Sequence, residues 1–275
     1  MIKMKTLIYV NKEKDPLGVN VKKLFGLCVS AGFETKIIDD DYLKTTDCAD
    51  ALFVLGGDGT ILCTTEFANK NGIPVIGINV GKLGFLTEYE LCDMDKAVFA
   101  LRNGLLYKDC RTTIIANYCD KEYYALNDVV IQRDHIEKPS NRIVNIGVDI
   151  NDKKVDEYIG EGILITTPTG STAYSFSAGG PIIAPGTQAF GLTPIAAHSF
   201  NNRPIIFSNE NVCKMTLLNN ASAGVFVDGC FIGEMLKGHN ISVYKSNKPT
   251  VFLRNEGYDF YTVLFKKFRD SSYRK

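Results

Sequence analysis

Apolar positions in the first hundred residues alternate between short continuous runs and helical spacing. TLIYV (6–10), ALFVL (51–55) and PVIGIN (74–79) are uninterrupted runs of strand length. A strand apolar on both faces belongs inside a parallel sheet. Leu17, Val21, Leu24, Phe25 and Cys28 recur at helical spacing before Gly32, and Met94 to Arg102 reads as a helix stopped by Gly104. Alternation of this kind is how βα units read, so residues 1–108 are expected to form an α/β domain with an open parallel sheet.

Beyond Leu105 the period shortens to two. TTIIANY (112–118), EYYALNDVVIQ (122–132), RIVNIGVDIN (142–151), GILITT (162–167), CKMTLL (213–218), GVFVD (224–228) and ISVYK (241–245) predict strands, with Asn151-Asp152 as a turn. The expectation for 109–255 is a mainly antiparallel, β-rich domain. STAYSFSAGG (171–180), enclosed by glycines, is its one helical exception. In the C-terminal segment 256–275 the run YTVLFKKF either closes the β domain or returns to the first sheet, and periodicity does not choose. Repeats, low-complexity tracts and Pro/Ser linkers are missing, so a broad interface near the 105–111 junction is expected.

Composition narrows the function classes. The 275 residues carry 31 basic and 31 acidic side chains. A protein that coats nucleic acid or an anionic membrane needs a field of one sign, so neither partner is expected. The eight cysteines never fall as CxxC, which points to a reducing compartment without structural zinc. The apolar run in MIKMKTLIYVN is too short for a signal peptide, and no apolar stretch of about 18 residues occurs, so a cytoplasmic location is expected. His135, His198 and His239 show no metal-ligand spacing; no protein-held metal is expected, and His198 reads as structural.

Four segments carry candidate chemistry. GGDGT (56–60) follows a buried strand and opens a helical stretch, so Gly56, Gly57 and Gly59 let backbone N–H groups approach a phosphate at a helix N-terminus. A carboxylate there repels the ligand, so Asp58 either serves a cation or an attacking hydroxyl, or it is simply a helix cap. NVGKLGFLTE (79–88) puts a second glycine loop at a strand end, with Phe85 and Leu86 either lining a base pocket or anchoring a core. In ALNDVVI (125–131) the polar pair Asn127-Asp128 interrupts a β-branched run and needs partners, from a ribose or amide edge or from a local bulge. GEGILITTPTGSTAYSFSAGGPII (160–183) gathers hydroxyls at 169, 171, 172, 175 and 177 around glycine turns, with Tyr174 large enough to stack on a base. That concentration favours a ligand.

Taken in order, GGDGT, NVGKLGFLTE, ALNDVV, TPTGSTAYSFSAGGPI, PIAAHSFNNRP and VDG resemble the NAD kinase family over residues 50 to 230. GGDGT alone is shared with lipid and sugar kinases; the TPTGSTAYS run is far more specific. The resemblance implies ATP-dependent phosphorylation of the adenosine-ribose 2′-hydroxyl of NAD, Mg²⁺ accompanying ATP, and a homo-oligomer, often a tetramer. It implies Asp58 as the catalytic residue and nucleotide contacts from Gly56, Gly57, Gly59, Thr60, Phe85, Asn127, Asp128, Arg142, Glu161, Thr169, Thr172, Ala173, Tyr174, Ser175, Ser177 and Ala196. Three positions depart from the family pattern: Glu161 replaces an Asp, Cys63 a frequent Arg, and Cys230 the Gln of a DGQ-like end. The interdomain cleft is the expected site. Rival readings are a lipid or other small-molecule kinase sharing GGDGT, and a noncatalytic dinucleotide sensor.

Overall fold

The computed structural model describes residues 3–81, 84–133, 143–198 and 202–272. The chain divides into two compact units, 1–110 with 250–275, and 111–249. The first unit begins β1 (Lys5–Val10), α1 (Val19–Ser30), β2 (Glu34–Ile38), β3 (Ala51–Gly56), α2 (Asp58–Asn71), β4 (Val75–Asn79), β5 (Tyr89–Glu90), α3 (Met94–Arg102) and β6 (Leu106–Arg111). The second holds β7 (Ile114–Tyr118), β8 (Lys121–Ala125), β9 (Asp128–Arg133), β10 (Val144–Ile150), β11 (Lys153–Gly160), β12 (Gly162–Thr166) and the single turn α4 (Tyr174–Ser177). It continues through β13 (Ala189–Ile195), β14 (Ile205–Ser208), β15 (Cys213–Leu217), β16 (Ala223–Val227), β17 (Cys230–Met235) and β18 (Asn240–Lys245). The chain then returns to the first unit with β19 (Thr250–Asn255) and α5 (Phe260–Ser272).

The sheet of the first unit runs β2-β1-β3-β4-β19-β6, with β5 beside β4. Strand β1 pairs in parallel with β2 and β3, β3 with β4, and β4 with β5 and β19. All residues of β3 and β4 are buried, as continuous apolar runs require between two covering layers. Val21, Leu24 and Cys28 of α1 share one core cluster with Ala97, Val98 and Leu101 of α3. Strand β19 falls within the span expected for the β-rich domain, yet it is hydrogen-bonded in this first sheet.

The run 261–268 is a helix, not a strand. Asp259 caps it, its Oδ2 accepting the N–H (2.9 Å) and hydroxyl (2.6 Å) of Thr262, while Tyr261, Phe265 and Phe268 recur at helical spacing.

The second unit packs two antiparallel six-stranded sheets, β11-β10-β15-β18-β7-β8 and β14-β13-β12-β9-β16-β17. Ile114, Ile146, Met215 and Val243 of one face Ile131, Ile163, Phe190 and Val225 of the other in one core. Alternate burial along β10 and β15 is the period-two pattern seen in the sequence. Asn151-Asp152, with φ of 49° and 59°, makes the tight turn of the β10–β11 hairpin. The predicted strand 122–132 is interrupted at Leu126-Asn127. Among the described residues, no helix is long and apolar enough to cross a membrane.

Candidate functional site

In the first unit, parallel neighbours β3 and β4 deliver GGDGT and NVGKLGFLTE to the same edge of the sheet. Gly57 is the N-cap of α2 and Asp58 its first residue. Asp58 turns across to the second loop, where Oδ2 accepts the N–H of Phe85 (2.9 Å) and Oδ1 that of Leu86 (3.0 Å). Each carboxylate oxygen keeps a lone pair for a further donor. Thr60, one turn into the helix, offers Oγ1 to Gly57 N–H and to Asn11 Nδ2, both at 3.4 Å.

The 84–88 loop is itself braced from β19. Arg254, fully buried, donates Nε to Asp109 (2.7 Å), Nη1 to Glu88 (3.0 Å) and Nη2 to the Phe85 carbonyl (3.5 Å). Glu88 also accepts from Asn255 N (3.2 Å) and Nδ2 (3.1 Å). Phe85, expected near a base, stacks on Phe260 with ring centroids 6.4 Å apart and lies under Lys267 Nζ. Leu86 is core. The sequence reading passed over Arg254; its signal is a charged residue inside the strand-like run VFLRN.

In the second unit the backbone of the polar pair is capped from within the fold. Asp228, at the β16–β17 turn with φ 47°, accepts the N–H groups of Leu126 (2.8 Å), Asn127 (2.8 Å) and Asp128 (3.1 Å). That capped bend is what splits β8 from β9. The 166–172 turn straps onto the same spot: Thr166 Oγ1 donates to the Asn127 carbonyl (3.1 Å), as does Thr167 N–H (2.9 Å). A Cβ on Gly170 would stand 2.2 Å from the Asn127 carbonyl oxygen, so only glycine allows this approach. Asp128 is buried beside Asp228. Burial, then the Asp228 charge, push the Asp128 carboxyl up to about 7. Burial lifts Asp228 to about 6 against the pull of its three N–H donors.

The hydroxyl cluster divides. Ser171, in the turn before α4, and Ser175, within α4, both face inward: Ser171 Oγ donates to the Pro168 carbonyl (2.6 Å), and Ser175 Oγ meets Thr193 Oγ1 at 3.3 Å. Ser175, expected at the ligand, is therefore committed to the fold. Thr169 is also buried, its Oγ1 accepting from Arg111 Nη1 (3.4 Å). Ser177 is exposed, while Thr172, Ala173 and Tyr174 are half-buried. Tyr174 packs on Val130, Leu164 and Ile195, and burial raises its phenol. Glu161 pairs with Arg133 (2.9 Å). Ala196 takes a left-handed φ of 43°, uncommon for a residue with a Cβ. His198 is exposed and donates its backbone N–H to the Ile159 carbonyl. Arg142 lies outside the described residues.

A carboxylate at the glycine-lined start of a helix on a parallel sheet is a setting suited to phosphoryl transfer, and the relatives of the chain are phosphotransferases. Residues 13–105 match the ATP-NAD kinase N-terminal domain and residues 126–255 the ATP-NAD kinase C-terminal domain. The NAD kinase of Caldicellulosiruptor bescii is 32% identical, over 97% of this chain and 100% of that one. That of Clostridium perfringens is 35% identical, over 94% and 96%. Among solved structures, an NAD kinase from Archaeoglobus fulgidus in complex with ATP superposes with a TM-score of 0.79 at 25% identity, covering 97% of this chain and 99% of that one. Yeast NADH kinase complexed with NADH shares the fold, with a TM-score of 0.77 at 22% identity over 92% and 84%. The chain belongs to the ATP-NAD kinase family and has NAD kinase function.

Proposed function

We propose that this phosphotransferase moves the γ-phosphoryl group of ATP to the 2′-hydroxyl of the adenosine ribose of NAD, yielding NADP, and that Asp58 orients this hydroxyl and takes its proton. The observation that carries the reading is the seat of Asp58. Two backbone N–H groups fix the carboxylate at the mouth of a glycine turn built for phosphate, where a negative charge is otherwise costly. Phosphoryl transfer needs alignment and charge neutralisation more than covalent help, and a fixed base with glycine loops supplies the first. Asn127, Asp128, Thr172, Tyr174 and Ser177 of the second unit are the NAD contacts, with Ala173 and Ala196 offering backbone.

Mg²⁺ would neutralise the triphosphate. Asp58, with a lone pair left on each carboxylate oxygen, would face that cation. A homo-oligomer in the cytoplasm completes the reading; light scattering that shows a fully active monomer would remove the first of these. The reaction is tested by incubating purified protein with ATP, Mg²⁺ and NAD and detecting NADP with an NADP-specific dehydrogenase. NADP formation is expected; folded protein giving no NADP above a heat-killed control overturns the assignment.

A further inference from the structure

The two residues whose N–H groups hold Asp58 are anchored in different ways. Leu86 is fixed by its own buried side chain. Phe85 is only half-buried, and its surroundings come from the far end of the chain. Its ring packs on Phe260 of α5, with centroids 6.4 Å apart, and Lys267 Nζ lies 5.1 Å from the ring centre. Its carbonyl accepts Nη2 of Arg254 in β19 (3.5 Å), 169 residues further along the sequence.

The Arg254 contact reaches Asp58 through one rigid unit. The carbonyl of Phe85 and the N–H of Leu86 belong to the same planar, trans peptide, in which they point in opposite directions. A group that fixes one therefore fixes the other. Arg254 stands on the carbonyl side, and Asp58 Oδ1 on the N–H side, 3.0 Å from the Leu86 nitrogen. A cation at the carbonyl also polarises the peptide, which makes that N–H a stronger donor.

Arg254 is built to hold a direction. Fully buried, it is gripped by Asp109 at Nε (2.7 Å) and by Glu88 at Nη1 (3.0 Å), and its guanidinium carbon lies 3.8 Å from the centre of the Tyr258 ring. Glu88 is anchored in turn, since its backbone N–H donates to the Gly77 carbonyl of β4 (2.9 Å). These contacts lock the guanidinium plane. The two carboxylates alone would account for a stabilising role; the third nitrogen, on the peptide that serves Asp58, is what they leave unexplained.

We propose that Arg254 and Phe260 are positioning residues for phosphoryl transfer: Arg254 aligns the Phe85–Leu86 peptide, Phe260 seats the Phe85 ring, and the two N–H donors so placed aim the Asp58 carboxylate. Both act through Asp58. The inference rests on the reading of Asp58 as the base and deepens it by assigning what aims that base.

The test is a set of double-mutant cycles read on kcat. Arg254→Lys keeps the charge but cannot span three acceptors, and Phe260→Ala removes a half-buried ring, so both are milder than loss of the guanidinium. Leu24→Ala, in the α1 core of the same unit, is the structural control. Each is made in the full chain, alone and together with Asp58→Asn, and assayed over a range of ATP and NAD at a temperature where circular dichroism shows it folded. Arg254→Lys and Phe260→Ala are each expected to lower kcat by about 10-fold, against the roughly 100-fold that misplacement by an ångström costs, with both KM values within about three-fold of wild type. On Asp58→Asn the same changes should cost less than about two-fold, because no base is left to aim. Phe260→Tyr, which keeps the ring, should retain turnover. Leu24→Ala should lower the melting temperature while leaving kcat within about two-fold of wild type. Equal losses in both backgrounds, or a loss in Leu24→Ala as large as in Arg254→Lys, overturn the proposal, and a near-normal kcat in either variant removes that residue from the role. Normal turnover in Asp58→Asn would instead defeat the base reading, in a chain that keeps Arg254 and Phe260, and the positioning role with it.

Discussion

The carboxylate of Asp58 fills the space a side chain on Gly84 would need: a Cβ built on Gly84 would stand 1.8 Å from Asp58 Oδ1. No real Cβ approaches an oxygen so closely, so an alanine there displaces the carboxylate or the loop whose N–H groups hold it. Gly84→Ala is expected to lower kcat by about 10- to 100-fold, since misplacement by an ångström has that effect. Gly81→Ala, in the same loop with open space around it, should leave kcat near wild type. Steady-state kinetics on the two variants decides, and equal rates would disconnect the loop from the chemistry.

Asp58→Asn tests the base itself. The carboxamide is nearly isosteric but turns an N–H₂ donor toward Phe85 N–H or Leu86 N–H, losing one bond as well as the basic oxygen. A fall in kcat of about 10²–10⁴-fold is expected, with ATP affinity held or improved because a negative charge leaves the phosphate site. Normal turnover would reduce Asp58 to a structural residue.

Tyr174 presents a half-buried ring over Val130, Leu164 and Ile195. Tyr174→Ala removes a stacking surface worth about 1–3 kcal/mol, raising KM for NAD roughly 5- to 150-fold. KM for ATP is expected to stay put; a change in ATP alone would reverse the assignment of this segment.

The parallel sheet and its two glycine loops are legible because β3 and β4 are apolar on both faces and glycines punctuate their ends. Strands β10 and β15 are legible for the complementary reason, that burial alternates along them, whereas β12 is buried along its whole length and is legible only as an apolar run. What escaped was non-local. Nothing near residue 254 states that its guanidinium will meet Glu88 and Asp109, and nothing near 127 states that a carboxylate a hundred residues on will cap it. The division of the hydroxyl cluster escaped too, because Ser171 and Ser175 sit on separate turns divided by the non-helical backbone of Ala173, so no single period says which hydroxyls face inward. The 261–268 run fits either period over so few residues; the Asp259 cap settles it.

Asp128 gives a pH dependence to stability. Its pKa of about 7 in the fold exceeds the unfolded value near 4, so the native state holds the proton more tightly. Its contribution is therefore full below about pH 4 and declines as pH rises toward 7. Asp128→Asn has no charge to bury, so between about pH 5 and 7.5 its melting temperature should drop less than that of wild type, by an amount corresponding to roughly 1–3 kcal/mol. Parallel melting curves would contradict the buried, charge-opposed setting. Loss of NAD affinity in the same variant is a separate expectation.

Arg254 is buried between two carboxylates, so truncation removes the cation that both of them face. Arg254→Ala should destabilise the first unit by about 3–5 kcal/mol in urea unfolding. Arg254→Lys should recover only part of this, since one ammonium cannot span Asp109, Glu88 and the Phe85 carbonyl. Wild-type stability in the alanine variant would show the network to be dispensable.

Strand β19 is an interior strand of the first sheet, between β4 and β6, although the whole second unit precedes it in the chain. During synthesis the sheet that carries Asp58 therefore waits, with the β4 edge unpaired by β19, until about 140 further residues have left the ribosome and Arg254 can brace the 84–88 loop. The β-rich unit has its full set of strands by then. Order of manufacture thus opposes order along the chain: the half that starts first is finished last, and nascent chains that have emerged only as far as residue 249 would carry a complete second unit and an incomplete catalytic one.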